Sequence, residues 1–418
     1  MRRRFADGVR DTFSSLGVRN FRLFFVGQGI SQVGNWLTLV TQTLLVLKLT
    51  GSGVAVGLLA ASQFGPVLLF GAWAGLIADR SDKRKLLIIV QVLAMAQSFG
   101  LAALAFMRHP PVVAICAVAF GGGMTLAFDN PARRAFVVEL VPEEKVNNAV
   151  SLNSAVMTSS RIIGPAVAGL LIHTVGYGWC FLVDGFTYIA VIVGYSLMRT
   201  DQLRPSIPTV RGKGQVRDGL RYARATPELW IPLVIMAVVG TLTFNFQVVV
   251  PLLVKRTFHG DDLDFTTLFS VISVGALVGA LAVARRQVIT ITHVVRSATG
   301  FGLAMLAFAA APSLAYEFPI GLVVGVASIA FLTSTTAIVQ MQADPAMRGR
   351  VLALQAIVFL GSTPIGGPIL GAICQWLNPR VGVVVGGVAA LAAATWGHLA
   401  ARARDQAPER AVVAASTT

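Results

Sequence analysis

Charge and sulfur are both scarce in this sequence: of its 418 residues only 13% are Asp, Glu, Lys or Arg, and there are three cysteines. A soluble globular chain carries about twice that charge density, so a molecule wetted over its whole surface is excluded. Cys116, Cys180 and Cys374 are odd in number, lie in or beside apolar segments and show no metal-ligand spacing, which leaves packing as their role. No Gly-x-x-x-x-Gly-Lys loop is present to hold ATP, no Gly-x-Ser-x-Gly elbow and no His-Glu-x-x-His pair. His109, His173, His259, His293 and His398 are scattered. Enzyme chemistry, a metal centre and a cofactor are therefore not expected.

What the sequence has is apolar length. Hydrophobic residues make up 55% of the chain, mean hydropathy is +0.73, and the charges fall between long apolar runs. A span needs about 20 mainly apolar residues to cross roughly 30 Å of hydrocarbon. Segments near 23–47, 54–78, 86–107, 112–128, 147–172, 179–198, 229–254, 265–284, 294–311, 318–340, 351–376 and 381–400 qualify. The runs are continuous rather than alternating, which predicts helices and not a barrel. The expected fold class is all-α integral membrane, with twelve transmembrane helices and the lipid bilayer as solvent.

Lys and Arg set the orientation. With the amino terminus in the cytoplasm, cytoplasmic segments hold 28 basic residues, from Arg2, Arg3 and Arg4 to Arg402, Arg404 and Arg410. External loops hold five, Lys48, Arg108, Lys255, Arg256 and Arg380, and only Arg161 lies inside a span. Both termini are expected inside a bacterial inner membrane. The net charge of +15 then reflects topology and attraction to anionic headgroups; no nucleic-acid partner is expected and no protein partner is evident. The polybasic start leads into a span too long for a cleavable signal, so the first helix is expected to remain.

One internal boundary stands out. At 199–228, Arg199, Arg204, Arg211, Lys213, Arg217, Arg221 and Arg224 occur among Pro205, Pro208, Gly212 and Gly214, as in a cytoplasmic linker. It divides a tail at 1–22 and a six-helix bundle at 23–198 from a second bundle at 229–400 and a tail at 401–418. The halves repeat at a fixed offset: Pro142 matches Pro345, Lys145 matches Arg348, Gly164 matches Gly367 and Pro165 matches Pro368. Two pseudo-symmetric six-helix halves in parallel repeat place a cleft at their interface, exposed alternately to each side.

The second loop reads GLIADRSDKRK, from Gly75 to Lys85. It resembles the signature loop of the major facilitator superfamily, met here at Gly75, Asp79, Arg80, Arg84 and Lys85, with Asp82 where the pattern has Gly. LTGSGVAVGLL, FDNPARRAFVVELVP and SSRIIGPAVAGLLI resemble the branch that holds enterobactin exporters, macrolide efflux proteins and lysophospholipid flippases. The resemblance implies the major facilitator fold, alternating access, proton coupling and a gating latch in which Asp79 meets the start of the eleventh helix and an arginine near the fourth, Arg133 or Arg134. The loop serves the positive-inside rule in either case, and Lys83 and Lys85 are better explained that way. Gly164, Pro165 and Gly169 in the fifth segment, with Gly367 and Pro368 in the eleventh, resemble the helix-bending motif of antiporters; close packing explains them equally.

Polar residues within spans need partners. Asn147, Ser151, Ser154, Thr158 and Arg161 share one face of the fifth segment, and Gln28, Gln32, Asn35 and Gln42 one face of the first. Both stripes are candidates to line the cleft and meet an amphipathic small-molecule substrate, though helix-to-helix hydrogen bonding serves each amide as well. Arg161 and Asp184 are the charges within spans. Asp184 lies about 8 Å and Arg161 roughly 18 Å from the same membrane face, so only the long arginine could bridge them. Asp184, with Arg161 or Asp129, is the candidate for proton coupling. The leading expectation is a proton-coupled exporter of drugs, macrolides or siderophores; a lysophospholipid flippase and a non-transporting sensor or scaffold are the alternatives.

Overall fold

A computed structural model describes residues 12–204, 215–284 and 289–416. The expectations placed on Arg2, Arg3 and Arg4, and on Pro205, Pro208, Arg211, Gly212, Lys213 and Gly214, lie outside the described residues. All regular structure in the described residues is helical. After a short 3-10 turn at Ser14–Gly17 come α1 (Arg19–Thr50), α2 (Gly53–Arg80), α3 (Lys83–Ala105), α4 (Val112–Glu139), α5 (Val146–Thr174), α6 (Tyr177–Ser196), α7 (Gln215–Ala225), α8 (Pro227–Leu242) and α9 (Phe246–Leu252). Then follow α10 (Asp262–Ala284), α11 (Ile291–Ala310), α12 (Leu314–Gln342), α13 (Pro345–Leu360), α14 (Thr363–Trp376) and α15 (Pro379–Ser416).

Eleven stretches of the described residues are long and apolar enough to cross a bilayer. A further helix, α1, has 32 residues, ample length for a span, but its five amides, Asn20, Gln28, Gln32, Asn35 and Gln42, lower its hydropathy. Large apolar side chains such as Leu69, Leu170 and Trp376 are 68%, 61% and 76% exposed, which suits lipid and not water.

Local chemistry sets the ends. Gly51 closes α1 in the left-handed region (φ 59°), its N–H bonded to the Leu47 carbonyl, a conformation glycine adopts without steric penalty. Asp82 caps α3, accepting the Lys85 N–H at 3.1 Å.

Four expected boundaries change. The fourth span does not stop near 128 but continues to Glu139, because Asp129 and Arg133 neutralise each other at i, i+4 (2.9 Å) while Phe136 and Val137 enter the apolar core beside Phe24 and Leu87. The seventh span is broken: α8 ends at Leu242 and the chain resumes as α9 followed by a π-turn at Leu253–Thr257. Phe244 fills that break against Phe301, ring centroids 5.0 Å apart. The eleventh span divides at Gly361–Ser362, where Pro364 disfavours continuation through its predecessor. The carboxyl tail continues α15 as helix to Ser416, and the basic linker contains the helix α7.

The chain forms two compact units. Unit 1 comprises 1–51, 62–210 and 262–270, and unit 2 comprises 52–61, 211–261 and 271–418. In unit 1 a methyl on Gly169 would lie 2.0 Å from Thr266 Oγ1, and in unit 2 one on Gly57 would lie 2.5 Å from the Gly367 carbonyl oxygen. The start of α10 thus packs on α5, and the start of α2 on α14, through glycines that admit close backbones. α5 continues as helix through Pro165, and Gly169 gives it a contact surface there.

Candidate transport site

The site grows from the seam between α1 and α6 in unit 1. These antiparallel helices meet in layers: Gln28 Nε2 donates to Tyr195 Oη at 2.8 Å, Tyr188 Oη donates to Asn35 Oδ1 at 2.9 Å, and Thr38 Oγ1 donates to Asp184 Oδ2 at 2.7 Å. Glycine sets the spacing. A methyl on Gly34 would lie 2.2 Å from Asp184 Oδ1 and 2.7 Å from Thr187 Oγ1, and one on Gly27 would lie 3.1 Å from the Val191 Cα.

Three amides of the α1 stripe are therefore internal. Gln28 and Gln32 are buried, Gln32 donating to Gln28 Oε1 at 3.1 Å, and Gln42 bonds Gln63 on α2. Side chains within the bundle take these amides from the substrate cleft expected for them: α6 offers Gln28 the Tyr195 hydroxyl and α2 offers Gln42 an amide, while Gln32 is held within α1. Asn35 alone of the four is exposed.

Asp184 is fully buried. Oδ2 accepts from Thr38 and from Ser98 Oγ of α3 at 2.6 Å, and Thr187 Oγ1 lies 3.4 Å from Oδ1. Among the described residues no cation pairs with it. Arg161, the expected partner, goes elsewhere: its guanidinium carbon lies 5.3 Å from the Trp36 ring centroid, and its Nε is buried without a hydrogen-bond partner. A methyl on Gly164 would lie 2.4 Å from the Trp36 Cβ; that close approach of α5 to α1 seats the indole beside Arg161. Phe269 extends the aromatic wall, 6.3 Å from Trp36.

The α5 stripe stays accessible. Asn147, Ser151 and Ser154 are exposed and Thr158 half-buried. Ser151, Ser154 and Thr158 donate to carbonyls four residues back on their own helix at 2.8, 2.9 and 3.0 Å, and among the described residues none bonds a neighbouring helix. Each hydroxyl oxygen keeps acceptor capacity toward a ligand.

At the predicted cytoplasmic end, Lys83 and Glu139 form a buried ion pair at 2.7 Å. Arg84 donates from Nε to the Tyr195 carbonyl at 2.6 Å and from a terminal nitrogen to that of Ser196 at 3.1 Å, serving the last turn of α6 as a cation should. Arg133 is committed to Asp129, which also accepts from Gln91 at 2.9 Å. Of the two arginines expected to meet Asp79, Arg133 therefore has its own carboxylate, while Arg134, like Arg80 and Lys85, is exposed.

A family profile described as transmembrane secretion effector matches residues 10–413. The chain belongs to this family of the major facilitator superfamily. It is similar to macrolide efflux protein A of Streptococcus pyogenes, 22% identical over 87% of this chain and 90% of that one. An enterobactin exporter of Escherichia coli O1:K1 is 24% identical over 86% of each chain, and a staphyloferrin A transporter of Staphylococcus aureus 24% over 68% and 70%. Among solved structures, a bacterial homologue of the human lysosomal transporter Spinster superposes with a TM-score of 0.71 at 16% identity, covering 92% of this chain and 96% of that one. The fold is that of the major facilitators, and the chain is a multi-span membrane transporter rather than an enzyme.

Within this secretion-effector chain, sequence reasoning missed several residues. Trp36, Tyr188 and Tyr195, which the sequence pattern does not single out, carry the ring and hydroxyls of the site. Glu317 on α12 is fully buried, and neither carboxylate oxygen has a hydrogen-bond partner among the described residues. It lies four residues into its helix, where an acid reads as a loop residue; the cue was an acid in a first turn flanked by Tyr316 and Phe318.

Proposed function

We propose that this secretion effector is a proton-coupled exporter of amphipathic small molecules, working by alternating access with both termini in the cytoplasm. The names of its relatives, which export or transport macrolides and siderophores, support the substrate class and the direction. One observation carries the coupling: Asp184 is a buried carboxylic group in a span whose partners are hydroxyls and not a cation. Hydroxyls can donate to the carboxylate or accept from the acid, so the cage suits both protonation states. Asp129, tied to the donor-only Arg133, suits the role less. The accessible α5 stripe, ending at Arg161, serves substrate. The Gly75–Lys85 loop, with Asp79, keeps its proposed part as a gate.

Reconstitution into proteoliposomes with an imposed pH gradient, screened with macrolides, dyes and siderophores, tests this. Asp184→Asn is expected to abolish gradient-driven transport while downhill exchange of substrate persists at normal abundance. Full pH-driven transport by that variant would remove Asp184 from the mechanism.

A further inference from the structure

Arg161 sits midway along α5, with roughly 20 Å of helix on either side. A cation at that depth needs an anion or water, yet the charged side chains described above as facing the interior of unit 1 are spoken for. Asp184 is held by hydroxyls, Asp129 by Arg133 and Glu139 by Lys83. Arg161 makes no hydrogen bond or ion pair among the described residues; its Nε is buried and unsatisfied, and its guanidinium lies over the face of Trp36. Around it the chain places what an amphipathic anion requires. Trp36 and Phe269 supply an aromatic wall, and the exposed Ser154 and half-buried Thr158 lead from the guanidinium along the accessible face of α5.

We infer that Arg161 and Trp36 form an anion subsite, and that the molecule taken by this protein carries a negatively charged group, such as a carboxylate, phenolate or sulfonate, on a flat apolar body. A static cation–π contact between α5 and α1 would leave the guanidinium without an acceptor; the Arg161 side chain is half-buried rather than enclosed, so an incoming oxyanion supplies one by a charge-assisted bond. The arrangement selects against amphipathic amines, whose charge would meet the guanidinium and not a carboxylate. The inference rests on the reading of the chain as a small-molecule exporter and narrows its substrate to anions.

The test is equilibrium binding to the full chain in phosphatidylcholine nanodiscs, with no gradient, so its outcome is independent of the Asp184 proposal. The probes share an N-phenylnaphthylamine body: 1-anilinonaphthalene-8-sulfonate carries an anion and N-phenyl-1-naphthylamine carries none, with binding read from quenching of Trp fluorescence. Arg161→Gln is expected to weaken the sulfonate by about tenfold or more and leave the neutral probe unchanged, and Arg161→Lys to recover part of the loss. Phosphatidylglycerol added to the disc distinguishes the source of the anion: competition with the sulfonate identifies a lipid headgroup as the natural occupant, and lack of competition a free solute. Equal weakening of both probes, or sulfonate affinity untouched by Arg161→Gln, would overturn the inference.

Discussion

Gly34 offers the sharpest perturbation of the proposed coupling site. In Gly34→Ala the new methyl would lie 2.2 Å from Asp184 Oδ1 and 2.7 Å from Thr187 Oγ1, so something must move. The carboxylate cannot swing freely, because Oδ2 is fixed by Thr38 and Ser98 at 2.7 and 2.6 Å. Overpacking costs about 1–3 kcal/mol, and one hydrogen bond lost from a charged acceptor about 1.5–3 kcal/mol. Against these stands the gain of about 0.5–1 kcal/mol from replacing a helical glycine by alanine, leaving a net loss of roughly 2–5 kcal/mol. Gly29 of the same helix is the internal control, since a methyl there meets nothing within 4 Å; Gly29→Ala is expected to be neutral or slightly stabilising. Thermal unfolding of the purified variants, followed by Trp fluorescence in detergent, should separate the two. Adding Asp184→Ser to Gly34→Ala removes the clashing carboxylate oxygen and should restore stability while leaving gradient-driven transport abolished. If Gly34→Ala melts with Gly29→Ala, or the double variant is no better than the single, the seam is looser than described.

The buried Lys83–Glu139 pair predicts a double-mutant cycle: Lys83→Met or Glu139→Gln alone costs about 3–5 kcal/mol, and the two together recover most of it. Additive losses in thermal unfolding would show that the partners act separately. Asp82→Ala removes the α3 cap and should cost about 1 kcal/mol, whereas Asp82→Gly, the residue of the superfamily pattern, should cost a few tenths; a cap of no consequence would leave both melting with the parent. Reporter fusions at Gly214 and after Arg404 are expected to read cytoplasmic, and an external signal from either would show that the spans are miscounted.

The spans were legible because hydrocarbon imposes a length, and the close contacts of Gly57 on Gly367 and Gly169 on Thr266 were foreshadowed by the duplicated Gly-Pro pattern. The partners of polar residues were not legible. A spacing of four, three and seven residues places Gln28, Gln32, Asn35 and Gln42 on one face, but a face has no neighbour until the helices assemble, and α6 supplied tyrosines, which are grouped with the hydrophobic residues. Arg161 and Asp184 stood out as the charges within the spans, which invited pairing them. Asp184 instead drew Thr38 and Ser98, 146 and 86 residues away in sequence. Asp129 and Arg133 misled in the opposite sense: they looked like the end of a helix, but as an i, i+4 pair they cancel and α4 continues.

That contrast between two buried acids bears on mechanism. Asp129 is bonded by a guanidinium, which has donors and no acceptor, and so its surroundings match the ionised carboxylate alone; taking up a proton there would set N–H against O–H. Asp184 is bonded by Thr38 and Ser98, whose hydroxyls reverse direction by rotating about one bond, with no heavy atom displaced. The seam at Gly27 and Gly34 is too close for α1 and α6 to separate slightly and re-form, so a group that changes charge there must be served by partners that adjust in place. Hydroxyls do this and arginine does not. Bringing Arg161 to Asp184, the pairing the sequence suggests, would have fixed the acid in one state and satisfied the cation, removing in one contact both the proposed proton site and the proposed anion site.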